Sequence, residues 1–375
     1  MPPPRILILS EIPTPYRLPL YERLAGRLDL DVQIVFCAAA EPDRPWQLDE
    51  QLARVPHRVL PGIAPRIRTR TNTFVYEINP SIVRILARGR WDALVIGGYA
   101  VFAEQAAIAY ARLRRIPYLI HDESHLGKPR AAWLRAAKRF VLPHIVGGAA
   151  AGLAVGSAAA RYLAAYGIPP ERIRIVPNTI DVAGFGTRAE AARAQAERLR
   201  RERDLPDGYV LFAGRLVEAK GVPELIQARR LLGERAPALV IAGEGPLAAE
   251  LAGEPGVHML GFQNESRLIE LYALADATVV PSRVEPWGVV VNEALACGSP
   301  VIASDAVGAV EDLIVDGVNG RVFPAGVASA LAEALAAPPP PGDPSRGRIE
   351  SWTYEYAEEQ FLQALRLVLP GRLPT

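Results

Sequence analysis

The sequence predicts an α/β chain of two doubly wound domains, and three observations carry that prediction. Short apolar runs alternate with helical patterns from one end to the other, the signature of repeated βα units whose parallel sheets are covered on both faces. The pattern restarts near the middle of the chain. The 375 residues, half of them apolar and 22% charged, suit a globular protein of two cores at roughly 100–200 residues per domain. Both halves read as Rossmann-like.

In the first half the apolar runs predict strands at Ile6–Leu9, Asp31–Phe36, Ala93–Ile96, Tyr118–His121, Leu153–Val155 and Ile173–Val176. Helical spacing lies between them at Leu18–Leu28, Phe102–Arg114 and Ala131–Val141. The stretch Asp181–Asp207, charged and rich in Ala and Arg, reads as a linker with a solvated helix. Strands resume at Tyr209–Phe212, Ala238–Ile241, Val257–Leu260, Ala277–Val280 and Val301–Ala303, with helices at Val222–Leu232, Pro246–Leu251, Glu265–Leu274 and Val289–Ala296. Pro338–Pro341 breaks the chain. Beyond it, Tyr354, Ala357, Phe361, Leu365 and Val368 recur at helical spacing, predicting a last amphipathic helix over about 352–368. Trp46–Arg54 and Ile63–Glu77 carry no readable pattern.

Composition sets bounds on partners and compartment. The formal net charge is +1, which gives no overall case for nucleic acid. Of 42 basic residues only Lys128, Lys138 and Lys220 are lysines. Cys37 and Cys297 sit in apolar contexts without metal or redox spacing, so buried thiols in a reducing compartment are expected. The N-terminus lacks the pattern of a secretory signal, and the longest apolar stretches, Ala93–Ala103 and Ile145–Val155, are too short to span a bilayer. A cytoplasmic protein is expected. Arg130–Val141 sets Arg130, Arg135, Lys138 and Arg139 against Trp133, Leu134, Phe140 and Val141. It reads as an ordinary helix with a basic face, with weak peripheral contact with an anionic membrane as the second reading.

Two doubly wound domains point to a nucleotide or its sugar at the carboxyl ends of the strands. The first strand runs into Ser10-Glu11-Ile12-Pro13-Thr14-Pro15-Tyr16-Arg17. Two prolines and no glycine exclude a dinucleotide fingerprint there, and the P-loop pattern is absent. The second half is richer. Gly214-Arg215-Leu216-Val217-Glu218-Ala219-Lys220-Gly221 follows a strand and opens a helix, where amides, a guanidinium fork and an ammonium suit an anion such as a diphosphate. Ordinary surface charge explains the same residues equally well when they stand alone. Gly243-Glu244-Gly245-Pro246 implies a tight turn or close backbone approach. In Glu285-Pro286-Trp287-Gly288-Val289-Val290-Val291-Asn292-Glu293 the two carboxylates bracket a helix N-terminus, and carboxylates accept readily from sugar hydroxyls.

At these residues the chain resembles retaining glycosyltransferases of family 4, with the GT-B fold, over nearly its whole length. The motifs stand in family order: Gly214-Arg215-Leu216…Lys220-Gly221, Gly243-Glu244-Gly245-Pro246, Gly261-Phe262, then Glu285 and Glu293. Val176-Pro177-Asn178-Thr179-Ile180-Asp181 is similar to the family's interdomain segment, with Thr179 in place of the usual glycine. The resemblance implies an acceptor domain over 1–177 with the last helix (352–375) crossing back to it, a donor domain over 178–351, and a deep cleft between them. It implies that Arg215 and Lys220 hold the diphosphate and that Glu293 binds ribose. Glu285 would bind the transferred sugar with help from backbone at Trp287 and Gly288, Phe262 and Gln263 would lie near the base, and Gly243, Gly245, Val289 and Val290 complete the donor-binding set. His121, in Leu119-Ile120-His121-Asp122-Glu123-Ser124-His125, stands where the family places a histidine near the anomeric carbon. Metal binding by this cluster is the lower-ranked reading, since the family needs neither metal nor cofactor. Tyr16 and Arg17 fall in a turn that contacts acceptor. Catalytic work is thus expected of Glu285, His121, Arg215 and Lys220. Uridine diphosphate is the family's contribution; the residues leave base, sugar, acceptor and oligomeric state open. A nucleotide-sugar epimerase and a non-catalytic nucleotide-sugar-binding protein are the alternatives.

Overall fold

A computed structural model describes residues 2–40, 46, 48–68, 73–125, 140–342 and 346–374, with the backbone alone at 66–68 and 73–75. The basic stretch at 130–139 lies outside the described residues. The chain divides into two compact units, Met1–Asn178 with Tyr354–Thr375, and Thr179–Thr353.

In the first unit the described strands are β1 (Arg5–Ser10), β2 (Asp31–Phe36), β3 (His57–Val59), β4 (Arg66–Arg68), β5 (Thr73–Val75), β6 (Ala93–Ile96), β7 (Tyr118–Asp122), β8 (Ala151–Ala154) and β9 (Ile173–Ile175). Seven of them form one sheet in the order β3-β2-β1-β6-β7-β8-β9, with every neighbouring pair parallel. β4 and β5 make a separate antiparallel hairpin. The strand order reverses between β1 and β6, so the loops after these two strands diverge to opposite faces and leave a crevice.

The helix Tyr354–Val368 belongs to this unit. Its residues Ala357, Phe361, Leu362, Ala364 and Leu365 share one core with Ile6, Leu18, Leu24, Phe36 and Leu153. Burial of each large side chain contributes roughly 1.5–3 kcal/mol, before the entropy of ordering is set against it. Arg23 and Arg27, at one end of the Leu18–Ala25 helix and just after it, clasp Glu358 at 2.8 and 3.0 Å.

In the second unit β10 (Val210–Ala213), β11 (Leu239–Ala242), β12 (Val257–Gly261), β13 (Ala277–Val280), β14 (Val301–Ser304) and β15 (Gly320–Phe323) form a six-stranded sheet ordered β12-β11-β10-β13-β14-β15. It is parallel throughout. The reversal of order here falls between β10 and β13. Val222–Leu232 and Ala328–Ala336 pack on one face through Val222, Leu225, Ile226, Leu331 and Leu335.

The stretch expected to be a linker with a solvated helix is instead packed structure. Val182–Arg193 buries Phe185, Gly186, Ala189 and Ala192, and Ala196–Arg203 buries Leu199. The buried face of the first helix is built from small residues, which carry almost no amphipathic contrast, so the charged face dominates the pattern. Asp181 caps this helix by accepting from Gly184 N at 3.0 Å. The helix expected to start at Pro246 begins at Ala248. Among the described residues no helix is long and apolar enough to cross a membrane.

Candidate functional site

In the second unit the predicted donor residues lie on the loops that leave the carboxyl ends of β10 to β13. The turn after β10 passes over the turn after β11. Gly214 N donates to Ala242 O at 3.0 Å, Leu216 N to Glu244 O at 2.8 Å, and Leu247 N to Leu216 O at 3.1 Å. A Cβ at Gly243 would stand 1.9 Å from Gly214 O, so only glycine allows this crossing. Gly245 lies under Leu216 in the same crossing. The carboxylate of Glu244 accepts from Phe262 N at 3.3 Å, tying in the loop after β12. Phe262 itself is exposed, whereas the Gln263 amide donates to Leu260 O at 2.7 Å. Gln263 is therefore engaged with its own turn rather than extended.

Lys220 closes the short turn Glu218–Lys220, and Gly221 follows with φ +74°. A Cβ at Gly221 would lie 1.8 Å from Pro281 O. This close approach sets the Lys220 turn against the loop after β13. Arg283 N donates to Ala219 O at 2.9 Å. The Arg283 guanidinium grips one oxygen of the buried Glu224, with Nε at 2.7 Å and a terminal nitrogen at 2.6 Å. Two residues further on, the Glu285 carboxylate pairs with the Lys220 ammonium. The structure thus brings Lys220 and Glu285 together, with Arg215 exposed on the same rim.

The segment from Glu285 to Gly288 is held from below. Glu285 N donates to Ala306 O at 3.3 Å, Gly308 N to Glu285 O at 3.0 Å, and Ala309 N to Trp287 O at 3.0 Å. The Trp287 side chain points away from the rim and is buried. Its indole N–H donates to Asn292 at 3.0 Å, and its ring stacks on Trp352 with centroids 5.3 Å apart. Any contact of Trp287 with a donor would come from its backbone. Gly288 precedes the helix Val289–Ala296, which has no side-chain cap. The amides at Val289 and Val290 therefore stand at an uncapped helix N-terminus, with its positive dipole end. Glu293 sits one turn further along, half-buried, and accepts from Tyr272 OH at 2.8 Å. Burial pushes its carboxyl up to about 7, against the stabilising hydrogen bond from Tyr272.

In the first unit His121 ends β7 with 5% of its surface exposed, and its Nε2 lies 3.3 Å from Val176 O. Burial, reinforced by the charge of Arg17, pushes the imidazole down to about 3, so His121 is neutral at ordinary pH. Arg17 is itself mostly enclosed. Its Nε donates to Asn178 at 2.9 Å and it pairs with Glu123 at 3.5 Å. Burial works against its charge, and the acids around it, Glu123 first, outweigh that and raise its pKa. Tyr16 meets Trp46 edge-on at 6.2 Å. Among the described residues no three His, Cys, Asp or Glu side chains are placed to hold a metal ion.

Sequence reasoning missed Arg283, Glu224, Tyr272, Asn292 and Trp352. Asn292 carried a signal, as a polar residue inside the apolar run from Val289 to Ala296 with only Glu293 beside it. Arg283 and Glu224 carried none, because their pairing joins a loop to a helix start far away in sequence.

Residues 195–337 match the family described as Glycosyl transferases group 1, and residues 13–179 match the Glycosyl transferase 4-like domain. A D-inositol 3-phosphate glycosyltransferase of Pseudarthrobacter chlorophenolicus is 31% identical over 307 residues, covering 76% of this chain and 69% of that protein. Another, from Xylanimonas cellulosilytica, is 35% identical, over 46% of this chain and 44% of its own length. The chain therefore matches less than half the length of this second relative. Among solved structures, HepE of Anabaena in complex with UDP has a TM-score of 0.71 at 18% identity, covering 97% of this chain and 99% of that one. Sucrose-phosphate synthase of Thermosynechococcus elongatus has a TM-score of 0.68 at 21% identity, covering 97% and 98%. The chain belongs to glycosyltransferase family 4 and has the GT-B fold.

Proposed function

We propose that this protein is a retaining, metal-independent glycosyltransferase. It moves a sugar from a nucleotide diphosphate-sugar, with a UDP-sugar as the proposed donor, to a hydroxyl of an acceptor glycan, lipid carrier or natural product. The observation that carries this is the meeting of Lys220 and Glu285 at the reversal of strand order in the second sheet. Arg215 and the uncapped helix start at Gly288–Val290 stand beside them. A HepE structure in complex with UDP-glucose, a neighbour in fold, supports the choice of uridine.

In this reading the hard step is loss of the nucleoside diphosphate from the anomeric carbon. Negative charge grows on the leaving phosphate while positive charge grows on the sugar ring. Lys220, Arg215 and the amides of Val289 and Val290 stabilise the phosphate without rearranging during the reaction. Glu285 accepts from hydroxyls of the transferred sugar and Glu293 from the ribose. Phe262 and Gln263 flank the base, Gln263 mainly through its backbone. His121, neutral and with its Nε2–H directed to Val176 O, accepts one hydrogen bond at Nδ1 near the sugar, and Tyr16 and Arg17 shape the acceptor side. Retention follows from front-face attack, in which the departing phosphate takes the acceptor proton.

A thermal-shift panel of UDP-, GDP- and ADP-sugars in the presence of a chelator tests the donor site. A rise in Tm with one nucleotide class is expected, and no rise with any of them would overturn it. NMR of the product then reads the anomeric configuration, and inversion would refute retention. Turnover of donor with no acceptor present would instead mark an epimerase.

A further inference from the structure

We infer that Arg283 is a positioning residue which, through Glu224, sets the contact between Lys220 and Glu285. This rests on the donor site proposed above. Arg283 lies two residues before Glu285 and its backbone is already bound to Ala219, the residue before Lys220. Its charge is not directed to the rim. The guanidinium turns to the Glu224 carboxylate at 2.6 and 2.7 Å, with Glu218 at 4.0 Å. Glu224 stands in the first turn of the helix that opens immediately after Gly221, and its side chain is only 7% exposed. Both nitrogens share one of its oxygens, and the other, Oε2, is buried with no hydrogen-bond partner.

An ion pair between a guanidinium 43% exposed and a buried carboxylate only half satisfied is a poor device for stability, since solvent screens the one side and the other carries an uncompensated desolvation cost. It is a good device for fixing geometry. The fork and the Arg283–Ala219 hydrogen bond act at two points on either side of Lys220, so together they fix both the distance and the tilt of its turn against the Glu285 loop. Without the fork, that turn is held through a single backbone atom, Ala219 O, which accepts from Arg283 N at 2.9 Å and Val284 N at 3.5 Å, and by the Gly221–Pro281 packing, so it gains freedom to rotate about that point. Reacting groups misplaced by about 1 Å lose on the order of a hundredfold in rate.

The test uses the double variant Arg283→Met with Glu224→Leu in the full chain. Replacing the pair by apolar groups leaves no uncompensated charge, so Tm is expected within about 3 °C of wild type. The chain has three lysines, so protein carrying 13C-labelled lysine gives three side-chain signals, and the one lost in Lys220→Arg is assigned to Lys220. That signal is expected to move in the double variant toward its position in Glu285→Gln. Turnover is expected to fall about tenfold or more, with KM for the donor changed less than threefold. A Lys220 signal that stays at its wild-type position would overturn the inference, as would wild-type turnover. If wild type turns over no nucleotide-sugar, the reading of the site has failed, and the NMR arm still decides whether Arg283 positions Lys220. Should the double variant not fold, Arg283→Lys keeps the charge and loses the fork, and the same signal and rate are expected to shift in the same direction by less.

Discussion

The two sheets share a plan, yet the crevices at their points of reversal are finished differently. In the first unit the polar side chains after β1 and β6 and at the end of β7 are spent on the protein. His121 faces the Val176 carbonyl, Arg17 is tied to Asn178 and Glu123, and Glu104 accepts from Ala100 N at 2.7 Å and Val101 N at 3.3 Å. Burial, with the charge of Glu11 behind it, pushes the Glu104 carboxyl up to about 8. In the second unit the corresponding loops are rich in glycine, the backbones cross closely, and Arg215, Lys220, Glu285 and Phe262 stay at least partly open to solvent. A crevice lined by prolines and by polar groups turned into their own loops gives shape. One lined by glycine turns and half-exposed charges gives electrostatic stabilisation to a ligand.

The strongest way to break this comparison is to remove a cation from each side. Lys220→Ala is expected to lower turnover about a hundredfold while Tm changes little, and near wild-type turnover would refute its assigned role. Arg17→Met is expected to act in the opposite sense. It removes one bond from Asn178 and one from a half-exposed Glu123, which still hold each other at 3.0 Å, and costs about 1–2 kcal/mol in stability, read by denaturant unfolding. Next, Gly243→Ala forces the two crossing turns apart and is expected to cost about 2 kcal/mol or more together with donor binding. Unchanged unfolding would show that the two turns can part without cost.

Smaller effects come from pH. Glu293 has a folded-state pKa raised by burial from 4.5 to about 7. The native state therefore binds more protons than the unfolded chain between those values. The contribution of this group to stability is thus fully present below pH 4.5 and lost as pH rises toward 7. If the ionised form receives the ribose, donor affinity tightens as pH rises through about 7, and Glu293→Gln flattens the profile; an unchanged slope in that variant would assign the pH response elsewhere. His121, depressed to about 3, is expected to contribute no limb near pH 6.5 to the rate profile. Finally, Trp287→Phe removes the donor to Asn292 and is expected to cost about 1 kcal/mol with a modest fall in turnover.

The sequence could be read where structure is local. Strands such as Asp31–Phe36, Ala93–Ile96 and Ala277–Val280 end where their apolar runs end. The glycine turns and the Lys220 and Glu285 motifs are contiguous strings whose chemistry shows in one dimension. What escaped was either short or built from contrasts too weak to see. His57–Val59 is a three-residue edge strand, Gly320–Phe323 an edge strand with only two apolar side chains, and Val182–Arg193 hides its buried face in Ala and Gly. The supports of the site escaped for a different reason. Arg283 with Glu224, and Trp287 with Trp352, are pairs made by topology, and no local pattern announces them.

The helix Tyr354–Val368 has a consequence for the order of events on the ribosome. The first unit's core is closed by Phe361, Leu362 and Leu365, which emerge only after the whole of Thr179–Thr353 has been made. Until then the nascent first sheet carries an uncovered apolar face while the second unit folds behind it. Vectorial folding, the first domain finishing before the next begins, is denied to this chain, and the unit whose synthesis starts first is the one that closes last.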